Sequence, residues 1–382
     1  MHITTAHLRQ IATLPTPSLL LDEVAMGANI ERMDAAIAAA GIRLRPHVKT
    51  CKSEPIVERM LATHTEPRIA VSTLAEARAF AAAGYADILY AVGIVPGKFA
   101  ELARLQAAGA RRLAVILDSL AMADALAAWE GEPLGVFIEI DVDGGRAGIR
   151  ADDPSLDVLA ARVAGAPNLE LRGLMTYAGA AYHCKSSAEI ESLSRRERHL
   201  ALAAAQRLRG AGLPCPEISV GSTPTTLAGG DFAGITEARV GVYVFFDVVM
   251  QRLGVCDYAD VALGVVASVI GHRPGELVID AGWMALSSER ADTDGSGLGV
   301  VLALPDAAGD VVEAPGAMIV RGANQEHGIV ARVDGEPIHT SRFPIGSRLC
   351  VLPIHACATA AQFDRYERLG APDEPWSRFG GW

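Results

Sequence analysis

The chain has 382 residues, half of them hydrophobic, and 34 basic against 45 acidic residues give a net charge of −11. That length suits a large domain plus a smaller one with a sizeable core, and the acidic balance disfavours general binding to nucleic acid or anionic membrane while leaving room for a local basic pocket. No apolar run reaches spanning length and the start, MHITTAHLRQ, has no signal-like hydrophobic region, so a cytoplasmic protein of enzyme size is expected.

From about residue 18 to about residue 250, short apolar runs alternate with alanine-rich helical patterns. Ser18 to Leu21 reads as a strand. Val24 to Ala40 reads as a helix that Gly41 stops. Arg43 to Lys49 is the second strand. Pro55 to Thr63 is helical, Ile69 to Ser72 a strand, and Leu74 to Ala83 a helix ending at Gly84. Ile88 to Val92, Leu113 to Leu117, Val136 to Asp141 and Leu171 to Tyr177 follow as strands with helical segments between them, and Glu217 to Val220 and Glu237 to Val240 close the series. Some eight repeats of strand and helix predict a parallel sheet closed as a (β/α)8 barrel, and the lack of GxGxxG after the first strand counts against an open doubly wound sheet. Beyond about residue 255 helical patterns nearly vanish. Ala262 to Gly271, Leu277 to Asp280 and Leu349 to Pro353 read as strands of a mainly antiparallel β domain. The expected division is a barrel over 16–252 and a β domain made of 1–15 and 253–382. Arg290 to Gly299, with Asp292, Asp294, Gly295 and Gly297, reads as a loop, and the tail Gly370 to Trp382 as a surface wrap.

In such barrels the working residues sit at the C-terminal ends of strands. Lys49, in RLRPHVKTCKS, occupies such an end. A lysine there is either a solvated edge residue or an amine of lowered pKa able to form an imine. Gly221, Ser222 and Thr223 follow one late strand, and Gly241 and Val242 the next. Each is either an ordinary turn or half of a phosphate cradle at the last two strands. A lysine with a phosphate cradle points to pyridoxal phosphate. In PIHACAT, His355 and Cys357 alternate along an expected extended segment, which would turn both to one face. They are either buried packing residues or a metal pair that leaves further positions to water or substrate, with Zn²⁺ the ligand-based choice and Mn²⁺ or Co²⁺ open. Glu326 and His327, in NQEHG, are either a polar turn or holders of metal-bound water. The six cysteines, Cys51, Cys184, Cys215, Cys256, Cys350 and Cys357, form no CxxC pair and are expected to be reduced thiols.

PHVKT, EIDVDGGRAGI (Glu139 to Ile149), TYAGAAYH (Thr176 to His183), GSTPT, RVGVYVFFD (Arg239 to Asp247), DAGWMA, QEHG and HACAT recur in order over nearly the whole chain. Together they resemble the fold-type III pyridoxal phosphate family of D-threonine aldolase and D-serine dehydratase. The resemblance implies an alanine-racemase-like barrel with a C-terminal β domain, a homodimer, and Lys49 as the residue that carries the cofactor. It implies that Ser222, Thr223, Gly241 and Val242 lie at the phosphate, Arg146 near the phenolic oxygen, Tyr182 near the pyridine nitrogen, and His355 with Cys357 at a divalent metal. The H-x-C form looks like the dehydratases, whereas the aldolases resemble H-x-D. Cys51 departs from the His or Ser common two positions after the lysine.

The implied reaction is metal-assisted loss of water, then ammonia, from a small D-3-hydroxy amino acid. D-threo-3-hydroxyaspartate, giving oxaloacetate, is the expected substrate. Dehydration of D-serine, or retro-aldol cleavage of D-threonine or 3-hydroxy-D-aspartate to glycine and an aldehyde, is the alternative. A cofactor-carrying protein without turnover would not need the β domain. A racemase would leave the metal pair unexplained.

Overall fold

The computed structural model describes residues 1–290, 297–304 and 313–382; Asp292, Asp294 and Gly295 of the expected loop lie outside them. The chain divides into two compact units, Met1–Glu31 with Val242–Gly380 and Arg32–Gly241 with Gly381–Trp382.

In the second of these, eight parallel strands run in the order Arg43–Leu44, Glu237–Ala238, Glu217–Val220, Leu169–Thr176, Leu134–Asp141, Ala114–Leu117, Asp87–Gly93 and Arg68–Val71. A parallel bridge between His47 and Ala70 joins the two ends and closes the barrel. Lys49 therefore follows the first barrel strand, not the second. It sits in a turn in which the Lys52 amide donates to the Val48 carbonyl, so the chain has left extended geometry before it reaches the lysine.

The barrel interior is layered. At its N-terminal end Arg45, Arg68 and Arg172 meet Asp87, Glu217 and Glu237, and all six are buried. Arg45 Nε donates to Glu237 Oε1 at 2.8 Å and its Nη1 to Asp87 Oδ1 at 2.6 Å. Arg172 Nε donates to Glu217 Oε1 at 2.8 Å, and Arg68 Nη1 to Glu237 Oε2 at 3.3 Å. Burial would raise the Glu237 carboxyl, but Arg45, Ser219 and Arg68 outweigh it and hold it down at about 2. Two positions further along their strands, Ala70 and Leu89 join Ala114, Ile116, Phe137 and Met175 in an apolar layer. By the same period of two, His47 follows Arg45 on one side of the interior, and the turn that carries Lys49 begins just beyond it.

The other unit is built on a largely antiparallel sheet. Its order is Glu276–Ile279, Gly328–Arg332, Met318–Ala323, Gly299–Ala303, Arg348–Pro353, Leu263–Arg273, Ser18–Leu21, Arg365–Arg368 and Ala371–Ser377. Glu276–Ile279 also pairs with Leu263–Arg273, so the first six close on themselves. Ser18–Leu21 was expected to open the barrel, but it pairs antiparallel with Leu263–Val266 and parallel with Glu367–Arg368 instead. All four of its residues are buried, and such a run looks the same in either sheet. The tail is not a loose wrap: Ala371–Ser377 is a strand on Arg365–Arg368. No disulfide joins any of the six cysteines.

Candidate active site

Lys49 is half-buried in the turn that follows the first barrel strand, near enough for its charge to act on His47. The His47 Nδ1 is buried and finds no hydrogen-bond partner among the described residues. Burial first, then the positive charges of Lys49, Arg239 and Arg146, press this imidazole well below its ordinary pKa, so it is neutral. The Gly144 turn aims Arg146, whose guanidinium lies 4.4 Å over the Tyr177 ring and donates to Glu139 at 3.3 Å. Asp143 in the same loop accepts the Ala180 amide at 2.8 Å, which ties it to the short helix Gly179–His183 carrying Tyr182. The loop after Leu134–Asp141 and the loop after Leu169–Thr176 are thus one assembly.

Gly221 leaves the strand Glu217–Val220 at φ +133, and a Cβ there would stand 2.8 Å from the Arg239 carbonyl oxygen. Only glycine fits. Ser222 then caps the helix Thr223–Leu227, accepting the Thr225 amide while Thr225 Oγ1 accepts the Ser222 amide. Its hydroxyl is committed to this capping box. The Thr223 and Thr226 hydroxyls are buried and find no hydrogen-bond partner among the described residues. Gly241 is glycine for a reason the sequence did not reveal. A Cβ would lie 2.7 Å from the His47 carbonyl oxygen and 2.9 Å from Thr50 Oγ1, so its bareness seats the Lys49 turn. Val242, buried, begins the next short helix, Val242–Val244.

His355 and Cys357 lie together, but not on an extended segment. His355 is the N-cap of the helix Ala356–Ala360, and Cys357 is in its first turn. The Cys357 sulfur hydrogen-bonds the His355 ring. Residues i and i+2 meet here because the chain turns between them. Two carboxylates that the sequence reading passed over frame the pair. Asp247, fully buried, caps the helix Val248–Arg252 through Met250 and accepts the amide of Ala356, the residue between the two donors, at 3.0 Å. Burial, the strongest influence, raises its carboxyl. Glu289 Oε2 lies 2.8 Å from His355 Nδ1. Burial would lower the His355 imidazole, but Cys357, Glu289 and Asp247 together raise it to about 11. The expected water-holders Glu326 and His327 are exposed in the hairpin turn between Met318–Ala323 and Gly328–Arg332, where the His327 carbonyl accepts the Asn324 amide. Among the described residues no third His, Cys, Asp or Glu completes a metal-ready cluster.

The family model for the alanine racemase N-terminal domain matches residues 21–261, and a serine dehydratase domain model matches residues 262–368. The chain is 46% identical to the D-threo-3-hydroxyaspartate dehydratase of Delftia sp. (strain HT23), over 97% of this chain and 99% of that one. The chain belongs to the D-threonine aldolase and D-serine dehydratase family. The Delftia family member superimposes with a TM-score of 0.91 over 97% of this chain and 99% of its own. A cysteine-to-alanine mutant of it is known in a metal-free form. D-serine dehydratase from Dictyostelium discoideum is 30% identical, covering 93% of both chains. The 3-hydroxy-D-aspartate aldolase of Paracoccus denitrificans (strain Pd 1222) is 29% identical over 95% of this chain and 91% of that one. The fold is that of the alanine racemase type within this family.

The residues suit what the family uses. Among the barrel residues, the Thr223 hydroxyl is a buried donor still lacking an acceptor, next to a glycine turn, and Lys49 is an amine in the turn after the first strand of the same barrel. In the β unit an imidazole nitrogen and a sulfur stand side by side, a donor set suited to a divalent ion of the zinc kind. His47, Asp247 and Glu289 had no separate sequence signal: His47 is hidden inside PHVKT, Asp247 reads as an ordinary cap, and Glu289 is a charge in a polar run.

Proposed function

We propose that this protein is a pyridoxal phosphate- and divalent metal-dependent lyase that converts a D-3-hydroxy amino acid, D-threo-3-hydroxyaspartate, to a 2-oxo acid, oxaloacetate, with release of ammonia. The observation that carries this is the His355–Cys357 pair, a nitrogen and a sulfur donor, in a chain 46% identical to a dehydratase of that substrate. When bound, pyridoxal phosphate supplies a sink for negative charge at Cα, and the metal supplies Lewis acidity to the β-hydroxyl, whose departure as hydroxide would otherwise be slow.

The chain's own residues do the rest. Lys49 would hold the cofactor, and its freed Nζ would be the base for the α-proton on one face, which would make the enzyme specific for D-isomers. Neutral His47 near it adds no positive charge to the interior. Thr223 donates its hydroxyl to the phosphate, with Ser222, Gly241 and Val242 shaping the turns around it. Arg146, steadied by Glu139 and Tyr177, would serve the phenolic oxygen, and Tyr182 the pyridine nitrogen. His355 and Cys357 hold the ion, Zn²⁺ by ligand type, with Mn²⁺ and Co²⁺ as the other candidates. The barrel unit carries the cofactor and the β unit the metal. We infer a homodimer located in the cytoplasm. The family resemblance implies the dimer; no helix among the described residues is long and apolar enough to cross a membrane.

Product analysis tests the reading. D-threo-3-hydroxyaspartate, D-serine and D-threonine, and their L-isomers, are each incubated with holoenzyme with and without chelator. Oxaloacetate and ammonia from the first, lost on chelation, are expected. Glycine with an aldehyde would establish retro-aldol cleavage instead. Pyruvate formed faster from D-serine would move the substrate assignment, and equal turnover of an L-isomer would sink the stereochemical argument.

A further inference from the structure

We propose that Glu289 is the positioning carboxylate of the metal pair: its Oε2 accepts the Nδ1–H of His355, which leaves Nε2 as the lone pair offered to the cation. This rests on the reading of His355 and Cys357 as metal ligands. An imidazole that ligates a metal has given up one proton and keeps a single N–H, so whichever nitrogen donates to a carboxylate decides which one can ligate. Here the 2.8 Å contact is made by Nδ1.

The backbone brings Glu289 to that place by construction. Thr359, in the helix that carries Cys357, donates its hydroxyl to the Leu286 carbonyl at 2.9 Å. Ser287 follows at φ +71, a left-handed conformation that non-glycine residues rarely adopt, and turns the chain back. The Glu289 amide then donates to Ser287 Oγ at 3.3 Å. A strained residue of this kind persists only where its surroundings hold it there. The strain at Ser287 therefore delivers the carboxylate to the ring, while Asp247 anchors the amide between the two donors from the other side. The pair is held by backbone on one side and by a side-chain carboxylate on the other.

The test measures Co²⁺ affinity of the holoenzyme by competition with a chromophoric chelator, together with the intensity of the thiolate-to-cobalt absorption. Wild type is compared with Glu289→Gln, Glu289→Ala and His355→Ala. Cofactor absorbance and the melting temperature of chelated protein check the fold. Glu289→Ala is expected to weaken Co²⁺ binding about 10- to 100-fold with the chelated melting temperature unchanged. Glu289→Gln, whose amide oxygen still accepts from Nδ1–H, should lose less. Wild-type affinity in Glu289→Ala, with affinity lost in His355→Ala, would overturn this inference alone. A Gln variant as weak as the Ala variant would overturn it in favour of a carboxylate bound directly to the ion. Wild-type affinity in His355→Ala would overturn the metal reading beneath it.

Discussion

Lys49 is one of two lysines in RLRPHVKTCKS, and their surroundings separate them. Lys52 has a positive φ and its Nζ lies 3.2 Å from Glu76, a buried carboxylate that also accepts from Ser72 and Thr73. A lysine held against a buried carboxylate is not free to turn its amine toward a ligand. Lys49 instead lies near His47, a neutral imidazole on which the charges of Lys49, Arg239 and Arg146 all act. Lys49→Ala is therefore expected to abolish the visible absorbance of bound cofactor and to cut turnover by at least about 10²-fold, the usual worth of a positioned base. Borohydride treatment of wild type followed by peptide mapping checks it. Label on Lys52 would show that the wrong lysine was chosen.

At the scale of elements, the short helix Ala356–Ala360 does the placing. Its N-cap and first turn bring His355 and Cys357 into contact, and Asp247 accepts the amide between them. Because this helix belongs to the β unit while Lys49 and the Gly221–Thr223 turn belong to the barrel, metal and cofactor losses should separate if the proposed sites hold. His355→Ala and Cys357→Ala are each expected to lose metal affinity steeply and to lose water elimination, while cofactor absorbance stays at the wild-type level. Chelation of wild type should reproduce this, and added Zn²⁺, Mn²⁺ or Co²⁺ should rescue wild type but neither variant. Elimination at the full rate by protein shown by metal analysis to be metal-free would refute it.

At the scale of the whole molecule, the buried ionic layer at the base of the barrel joins four of its eight strands through Arg68, Asp87, Glu217 and Glu237, with Arg45 beside a fifth and Arg172 in a sixth. Three charges of each sign balance, so the layer is stable as a set and costly to break singly. The Glu237 carboxyl sits at about 2, against 4.5 when unperturbed. A folded pKa below the unfolded one gives stability that is fully present above about pH 4.5 and is lost as the pH falls toward 2, on the order of 3 kcal/mol from this group. Urea titrations from pH 7 down to pH 3 should show that slope. Glu237→Gln should flatten it and cost about 3–5 kcal/mol at neutral pH, because Arg45 is left buried beside a neutral partner. An unchanged acid slope in Glu237→Gln would show that the layer is not what acid attacks.

The alternation of apolar runs and helical patterns determined the barrel, since strand, helix and turn spacing are local properties of the chain. Strand-end position was legible for Gly221 and Thr223, which follow Glu217–Val220 directly, but not for Lys49, which sits in a turn beyond the short strand Arg43–Leu44. The ordered motifs carried the family and its cofactor. What sequence could not decide is which strands pair. Ser18–Leu21 is a buried apolar run that would serve in either sheet, and only hydrogen bonding to Leu263–Val266 assigns it to the β unit. Nor could a period of two or 3.6 foresee that His355 and Cys357 meet across a helix start. The contacts that finish the site, Glu289 to His355, Asp247 to Ala356 and Gly241 against His47, join residues 66, 109 and 194 positions apart. Such pairs leave no local periodic signal, because their geometry exists only once the sheets have closed.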